Sequence, residues 1–138
     1  MSDNMTDVKT RTEQLGEAVT QNPRAAIPNR DLGKLHFDEG DKDKAIAYTL
    51  RSMERGLRIP EVVIPGLRLL LRERLFKIVI LIGNSALDEG MTYSEIHRLI
   101  SKAHVALNQK SEGRRHAEEA DKLRDEGRSA FKTPGENE

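Results

Sequence analysis

The sequence of 138 residues contains no cysteine and no tryptophan, and it holds only two tyrosines and three phenylalanines. Without a thiol, this sequence forms no disulfide, no thiolate zinc site and no cysteine nucleophile. The scarcity of aromatic rings also disfavours recognition of single-stranded nucleic acid, because such recognition relies on stacking bases against aromatic side chains.

The sequence also lacks a net charge, since 23 Lys and Arg balance 23 Asp and Glu and the pI is about 6.9. Dedicated nucleic-acid-binding domains usually carry a basic excess, so nucleic acid is not the expected partner.

A long apolar run is missing too. The most apolar stretch, residues 62–83, is interrupted by Arg, Glu and Lys, and its uncharged runs fall far short of the ~20 residues that a membrane-spanning helix needs. We therefore expect no membrane span. The N-terminal residues are polar and contain no signal-peptide core, so a cytoplasmic location is expected.

The residues that are present favour stacked amphipathic helices. Hydrophobic residues make up 36% and charged residues 33% of the sequence, a supply that suits helices burying one stripe each. Residues 29–56 predict two such helices, separated by Gly40 and an Asp-rich turn. Asp41 or Asp43 is expected to cap the second helix.

This segment carries a family resemblance. Leu32-Gly33 in the first helix, Gly40 at the turn and Ala45 in the second helix resemble the pattern of the tetratricopeptide-repeat (TPR) family. The resemblance is close over residues 26–59. It implies an all-α fold of stacked antiparallel helical hairpins, forming a TPR-like α-solenoid of about three repeats.

A frame of ~34 residues divides the chain into units 26–59, 60–93 and 94–127, after a partial unit that ends near residue 22. Small residues recur at the twenty-seventh position, as Ala18, Ser52, Ala86 and Ala120. The frame predicts one helical domain over residues 1–128, followed by a disordered tail at 129–138. Helices are expected over about 6–22, 27–39, 42–57, 61–72, 75–89, 93–109 and 112–127.

The second unit departs from the family pattern. Leu67 replaces the small residue of the first helix, and residues 73–76 contain no turn glycine. One continuous helix over about 67–88 is therefore an alternative to a helical pair.

Residues suited to chemistry occur without a recognisable site. His97 and His104 lie seven residues apart on one predicted helical face, but no third ligand follows at helical spacing, so packing is the preferred interpretation. Glu112 and His116 are interpreted as a solvated i, i+4 pair. Gly83 and Gly90 are too far apart for a phosphate-binding loop. We expect no catalytic residue, no metal and no cofactor, and so no enzyme.

The family resemblance implies a concave groove, lined by the first helix of each pair, that typically binds an extended peptide or a helix. The resemblance assigns the second, fifth, ninth and twelfth positions of each unit to this groove. Cations with apolar neighbours at these positions form the predicted site: Arg30, Lys34, Phe37, Arg68, Leu71, Arg98 and Lys102. A basic groove of this kind is expected to bind an acidic protein or peptide segment. The predicted function is that of a protein-protein interaction module, such as an adaptor, a scaffold or a chaperone-like protein.

Two alternatives remain open at this point. In the first, the apolar segment 62–83 packs against another copy of the chain, which makes the protein a structural homo-oligomer. In the second, the basic segment 51–77 binds nucleic acid, since it holds seven Arg and Lys but only three Glu.

Overall fold

A computed structural model describes residues 2–22 and 25–125 of the chain. Over these residues it contains seven helices and no strand, which confirms the predicted all-α class. The helices are α1 (Ser2–Gln21), α2 (Ala26–Asp38), α3 (Lys42–Arg55), α4 (Pro60–Arg72), α5 (Phe76–Asp88), α6 (Ser94–Ala106) and α7 (Lys110–Asp125). The predicted tail at 129–138 lies outside the described residues.

The helices recur with the spacing that the sequence predicts. Helices α2, α4 and α6 begin at Ala26, Pro60 and Ser94, which are the first residues of the three predicted units. The second helices of the pairs, α3, α5 and α7, begin at Lys42, Phe76 and Lys110, again at intervals of ~34 residues. The 34-residue frame is therefore a property of the backbone as well as of the sequence pattern.

The second unit is a pair of helices, and the alternative of one continuous helix over 67–88 is wrong. Helix α4 ends at Arg72 and α5 begins at Phe76. Between them, Arg74 takes the left-handed backbone conformation, with φ of 64°. The turn thus forms without glycine, because Arg74 adopts the conformation that Gly40 (φ 86°) and Asn108 (φ 61°) supply in the other two units.

Contacts between Cα atoms divide the chain into two compact units, an N-terminal unit (Met1–Gly56) and a C-terminal unit (Leu57–Glu138). The prediction of one domain over 1–128 stays a prediction. In the N-terminal unit, α2 packs against α1 and α3.

Helices α2 and α3 meet where the sequence places a small residue. A Cβ atom on Gly33 would lie 2.7 Å from Thr49 Oγ1 and 3.1 Å from the carbonyl oxygen of Ala45. Glycine is needed there because the two backbones come too close for a larger side chain. Asp41 accepts a hydrogen bond from the Lys44 amide at 3.2 Å, which confirms it as the cap of α3.

In the C-terminal unit, α6 packs against α4, α5 and α7. The larger apolar side chains that are fully buried there are those of Val62, Val63, Ile64, Leu67, Leu70, Val79, Ile96 and Ile100. Helices α6 and α7 approach closely, because Ser101 Oγ donates a hydrogen bond of 2.6 Å to the Gly113 carbonyl oxygen. A Cβ atom on Gly113 would meet Val105 Cγ2 at 2.7 Å.

The recurrent small residues lie inside the structure. Ser52, Ala86 and Ala120 are each almost fully buried, and Ala18 is half-buried. Because they share the twenty-seventh position of the frame, the second helix of each unit presents a small side chain, Ala or Ser, at the same place. This is the packing that the sequence pattern predicts.

Candidate basic cleft on helix α6

A cleft of about 200 Å³ runs along the first two turns of α6, lined by Ser94, Glu95, Arg98, Leu99 and Lys102. Two of the predicted groove residues, Arg98 and Lys102, therefore line one surface. They are four residues apart, so they project from the same face of the helix one turn apart.

A third predicted groove residue, Arg68, is joined to this cleft by an ion pair. Arg68 Nε, on α4, donates a hydrogen bond of 2.5 Å to Glu95 Oε2, on α6. The hydrogen bond that Arg68 donates to Glu95 raises the pKa of the Arg68 guanidinium above its usual value, so Arg68 stays charged. The Glu95 side chain is only 18% exposed, whereas that of Arg68 is 51% exposed. The carboxylate thus lies in the cleft and the guanidinium at its edge.

The remaining cations of the cleft have no charged partner within the chain. Arg98 is half-buried and Lys102 is exposed, and neither makes an ion pair or a side-chain hydrogen bond with any residue in the described ranges. Because Glu95 is paired with Arg68, the charges of Arg98 and Lys102 remain unbalanced, so this group of three cations and one carboxylate has an excess of two positive charges. Arg98 is partly buried, so less water screens its interaction with an anion.

Apolar side chains continue the same helix faces. Leu71 follows Arg68 by one turn on α4 and is half-buried, and Val105 follows Lys102 by one turn on α6 and is 54% exposed. Leu71 and Val105 do not line the cleft itself, so they provide a small apolar surface beside its positive charge.

The other predicted groove residues lie in the N-terminal unit, on α2. Arg30 donates hydrogen bonds to Asp31 Oδ1 at 2.9 and 3.0 Å, so a neighbouring carboxylate already balances its charge. Lys34 is exposed and Phe37 is half-buried. The membership of these three residues in a common groove with the C-terminal unit stays a prediction.

Sequence reasoning missed Glu95, the carboxylate at the centre of the cleft. A signal was available, because Glu95 occupies the second position of its unit, one of the positions that the TPR resemblance assigns to the groove. The same position holds Ile27 in the first unit, 41% exposed, and the exposed Glu61 in the second unit.

Comparison with solved structures decides the fold. No family model matches the chain, and no curated protein matches its sequence. The structure is similar to that of a TPR-like protein, MamA (MSR-1 C2), with a TM-score of 0.67 and 18% sequence identity, over 90% of this chain and 71% of that chain. The fold is a TPR-like helical repeat. At 18% sequence identity, the similarity to MamA shows the fold and nothing further.

Within this TPR-like fold, a second cluster of polar side chains lies between α6 and α7. The Nδ1 atoms of His97 and His116 are 2.9 Å apart, and the rings of His104 and His116 stack with centroids 5.7 Å apart. His104 Nδ1 also makes a 2.7 Å hydrogen bond with Gln109 Oε1. The histidines therefore pack against each other across the two helices.

The interpretation of Glu112 and His116 as a solvated pair is wrong. His116 is only 7% exposed, because it faces α6, and Glu112 pairs with Arg115 at 2.7 Å instead. Burial, together with the nearby His97 and Arg115, lowers the pKa of His116 to about 4, and burial also lowers the pKa of His97. Both rings are consequently neutral at pH 7.

Two negative findings hold for residues 2–22 and 25–125. No group of three or more His, Asp or Glu side chains there is arranged to hold a metal ion. None of the helices in these ranges has both the length and the apolarity needed to cross a membrane.

Proposed function

We propose that this TPR-like chain is a protein-binding module without enzymatic activity, and that the α6 cleft receives an acidic segment of the partner protein. The observation that carries the proposal is the pair formed by Arg98 and Lys102. These cations line one cleft and have no charged partner within the described part of the chain. Two such charges on one helix repel each other, and an anionic ligand relieves that repulsion.

The chemistry of the cleft favours carboxylates over other groups that a protein surface offers. A guanidinium and an ammonium donate charge-assisted hydrogen bonds to carboxylate oxygens. Leu71 and Val105, one turn further along the same helix faces, suit an apolar side chain of the same segment. The preferred ligand is therefore a peptide in which Asp or Glu alternates with apolar residues.

The α2 residues extend this proposal to the whole predicted groove. Arg30, Lys34 and Phe37 occupy the same frame positions as the cations and apolar residues of the later units. We expect Lys34 to contribute to binding a long segment. Lys34→Glu should then weaken a long acidic peptide but leave unchanged a short one that fills only the α6 cleft.

The proposal is tested with a peptide of about twelve residues that alternates Glu with Leu or Ile, is capped at both ends and carries a dye of zero net charge. Fluorescence anisotropy measures its affinity for the full chain at low salt. The charge-reversal variant R98E/K102E should bind it roughly ten- to hundredfold more weakly than the wild type, with a smaller difference at about 0.5 M salt.

A matched control separates the cleft from overall charge. Arg114 and Lys122 are exposed on α7, so R114E/K122E makes the same change in net charge away from the cleft. This control should lose less affinity than R98E/K102E at low salt. At about 0.15 M salt, where the Debye length is ~8 Å, it should bind the peptide within about threefold of the wild type. Equal loss in both double variants, with both folded by circular dichroism, would contradict the proposal.

Self-association is a second candidate function, and one observation favours it. Leu81, within the apolar segment 62–83, is 68% exposed on α5, although Val62, Leu67, Leu70 and Val79 of the same segment are buried within the chain. The exposed face of α5 around Leu81 is therefore available for another copy of the chain. Light scattering coupled to size exclusion, over a range of concentrations, tests this candidate.

The structure offers less support for nucleic-acid binding through residues 51–77. Arg58 pairs with Glu89 at 3.1 Å, and Arg68 pairs with Glu95. Carboxylates from outside the segment thus balance two of its seven cations, which reduces the basic excess that a nucleic-acid interface needs.

A further inference from the structure

The α6 cleft already contains a carboxylate, and it belongs to the chain itself. Glu95 lines the cleft together with Arg98 and Lys102, and its Oε2 atom accepts the hydrogen bond from Arg68 Nε. Glu95 is the second residue of α6, where the partial positive charge of the helix N-terminus favours a carboxylate. An acidic side chain is therefore held in the position that the proposed function assigns to the ligand.

We infer that Glu95 is an internal competitor for the cleft: it occupies Arg68 in the free protein, and a ligand carboxylate replaces it on binding. This inference rests on the proposed function, because it names the residue that limits the affinity of the same site. The ligand is specified further as a protein segment that supplies side-chain carboxylates, the group that Glu95 itself presents.

The geometry of the ion pair makes the replacement feasible. Glu95 engages Arg68 through Nε alone, so the terminal nitrogens of the guanidinium, which hydrogen-bond to no other described residue, can donate to an incoming carboxylate. The Arg68 side chain is half-exposed, so a ligand reaches it without unfolding α4. The Arg68 side of the ion pair is open to water, which weakens the attraction between the two charges, so a ligand carboxylate can exchange with Glu95 reversibly.

The charge in the cleft predicts whether replacing Glu95 strengthens or weakens peptide binding. With Glu95 ionised, three cations and one carboxylate leave two excess positive charges. Glu95→Gln keeps the size of the side chain and a carbonyl oxygen that can accept from Arg68, but it raises the excess to three positive charges. The neutral amide also binds Arg68 more weakly than the carboxylate does, so a ligand carboxylate displaces it more easily. The acidic peptide described above should then bind about three- to tenfold more tightly at low salt.

The experiment measures peptide affinity by anisotropy for the wild type, E95Q, R68Q and R68Q/E95Q. The first comparison is the ratio of peptide affinities of E95Q and the wild type, and the second is the ratio for R68Q/E95Q and R68Q. If the second ratio is at most half the first, the result supports direct competition for Arg68. An equal gain in both backgrounds would show that Glu95 acts only as a repulsive charge at a distance, and that result overturns the inference. Weaker binding by E95Q would overturn it as well, because Glu95 would then be positioning Arg68 for the ligand.

Two further comparisons keep the outcomes distinct. Glu118→Gln, on the exposed face of α7, removes the same charge outside the cleft and should leave the affinity unchanged. If R98E/K102E binds like the wild type, the proposed function itself fails. If R98E/K102E loses binding but E95Q gains none, only the competition by Glu95 fails. Thermal melts of each variant confirm that it is folded.

Discussion

Gly40 and Arg74 lie at the same position of consecutive repeats, and both adopt the left-handed backbone conformation, with φ of 86° and 64°. At each turn the following residue closes the same hydrogen bond, from the Asp41 amide to the His36 carbonyl and from the Leu75 amide to the Leu70 carbonyl. The turn between paired helices is therefore specified by backbone geometry, which glycine adopts freely and an L-residue adopts with strain.

Gly40→Ala tests this geometry. No atom lies within 4 Å of a Cβ built on Gly40, so any loss of stability arises from the backbone and not from a clash. We expect a destabilisation of about 1 kcal/mol in chemical denaturation.

Gly16→Ala is the matched control for this substitution. Gly16 lies within α1, and a Cβ atom there also has no neighbour within 4 Å. Alanine should stabilise the helix at this position by roughly 0.5–1 kcal/mol. If Gly40→Ala and Gly16→Ala changed the free energy of unfolding in the same direction, the explanation of the turn would be contradicted.

The buried small residues of the second helices give another prediction. Ala86 and Ala120 are at most 1% exposed, so Ala86→Leu or Ala120→Leu should overpack the helix contacts and destabilise the chain by roughly 1–3 kcal/mol. Ala47→Leu, on the exposed face of α3, is the control and should leave the thermal midpoint nearly unchanged. If neither Ala86→Leu nor Ala120→Leu lowered the thermal midpoint, the helices would not be closely packed at these two positions.

The repeat could be predicted from the sequence, because close contacts between helix backbones require small residues, and turns favour glycine, at regular intervals along the chain. Gly33, Gly40 and Ala45 establish the frame in one unit, and the other units follow without a gap. The helical pair in the second unit was ambiguous, because Arg74 gives no sign in the sequence that it adopts a left-handed conformation.

The ion pair at the cleft could not be predicted, because it depends on which residues of different helices come into contact. The spacing of residues within one helix gives no information about such contacts. The pairing of Arg68 with Glu95 joins residues on two helices, and no local pattern connects them. His116 was assigned to the wrong face because Glu112 offered a partner at i, i+4. Its true face is the one that Gly113, Ala120 and Leu123 share, all of which are buried at helical spacing.

Stability should depend on pH through the histidines between α6 and α7. The pKa of His116 is lowered from 6.5 to about 4 in the folded chain, so the unfolded state binds this proton more readily. Stability is therefore retained above pH 6.5, falls as pH decreases towards about 4, and loses nothing further from this group below that value. The loss should be on the order of 2–3 kcal/mol.

Denaturation midpoints between neutral and acidic pH measure this effect, and His116→Gln isolates it. The variant lacks the titrating ring, so its stability should fall less than that of the wild type over the same range. Parallel curves for the two proteins would show that His116 is not protected from protonation in the folded state.

Leu81→Lys distinguishes the second candidate function. Leu81 is largely exposed, so lysine there should leave the fold intact, with a change of stability within about 0.5 kcal/mol. If copies of the chain associate through α5, the wild type should show a mass above that of the monomer and the variant should not. A wild type that is monomeric at every concentration in light scattering would exclude self-association through this face.

The most direct test of the binding proposal is a map of the peptide site by amide chemical shifts of the isotope-labelled full chain. Titration with the capped Glu-rich peptide should perturb Arg68 on α4 and Ser94, Glu95, Arg98 and Lys102 on α6, which surround the cleft. The exposed face of α7, including Arg114 and Glu118, should remain unperturbed. Perturbations that cluster on α7, or none at concentrations where anisotropy reports binding, would contradict the claim that the α6 cleft receives acidic segments.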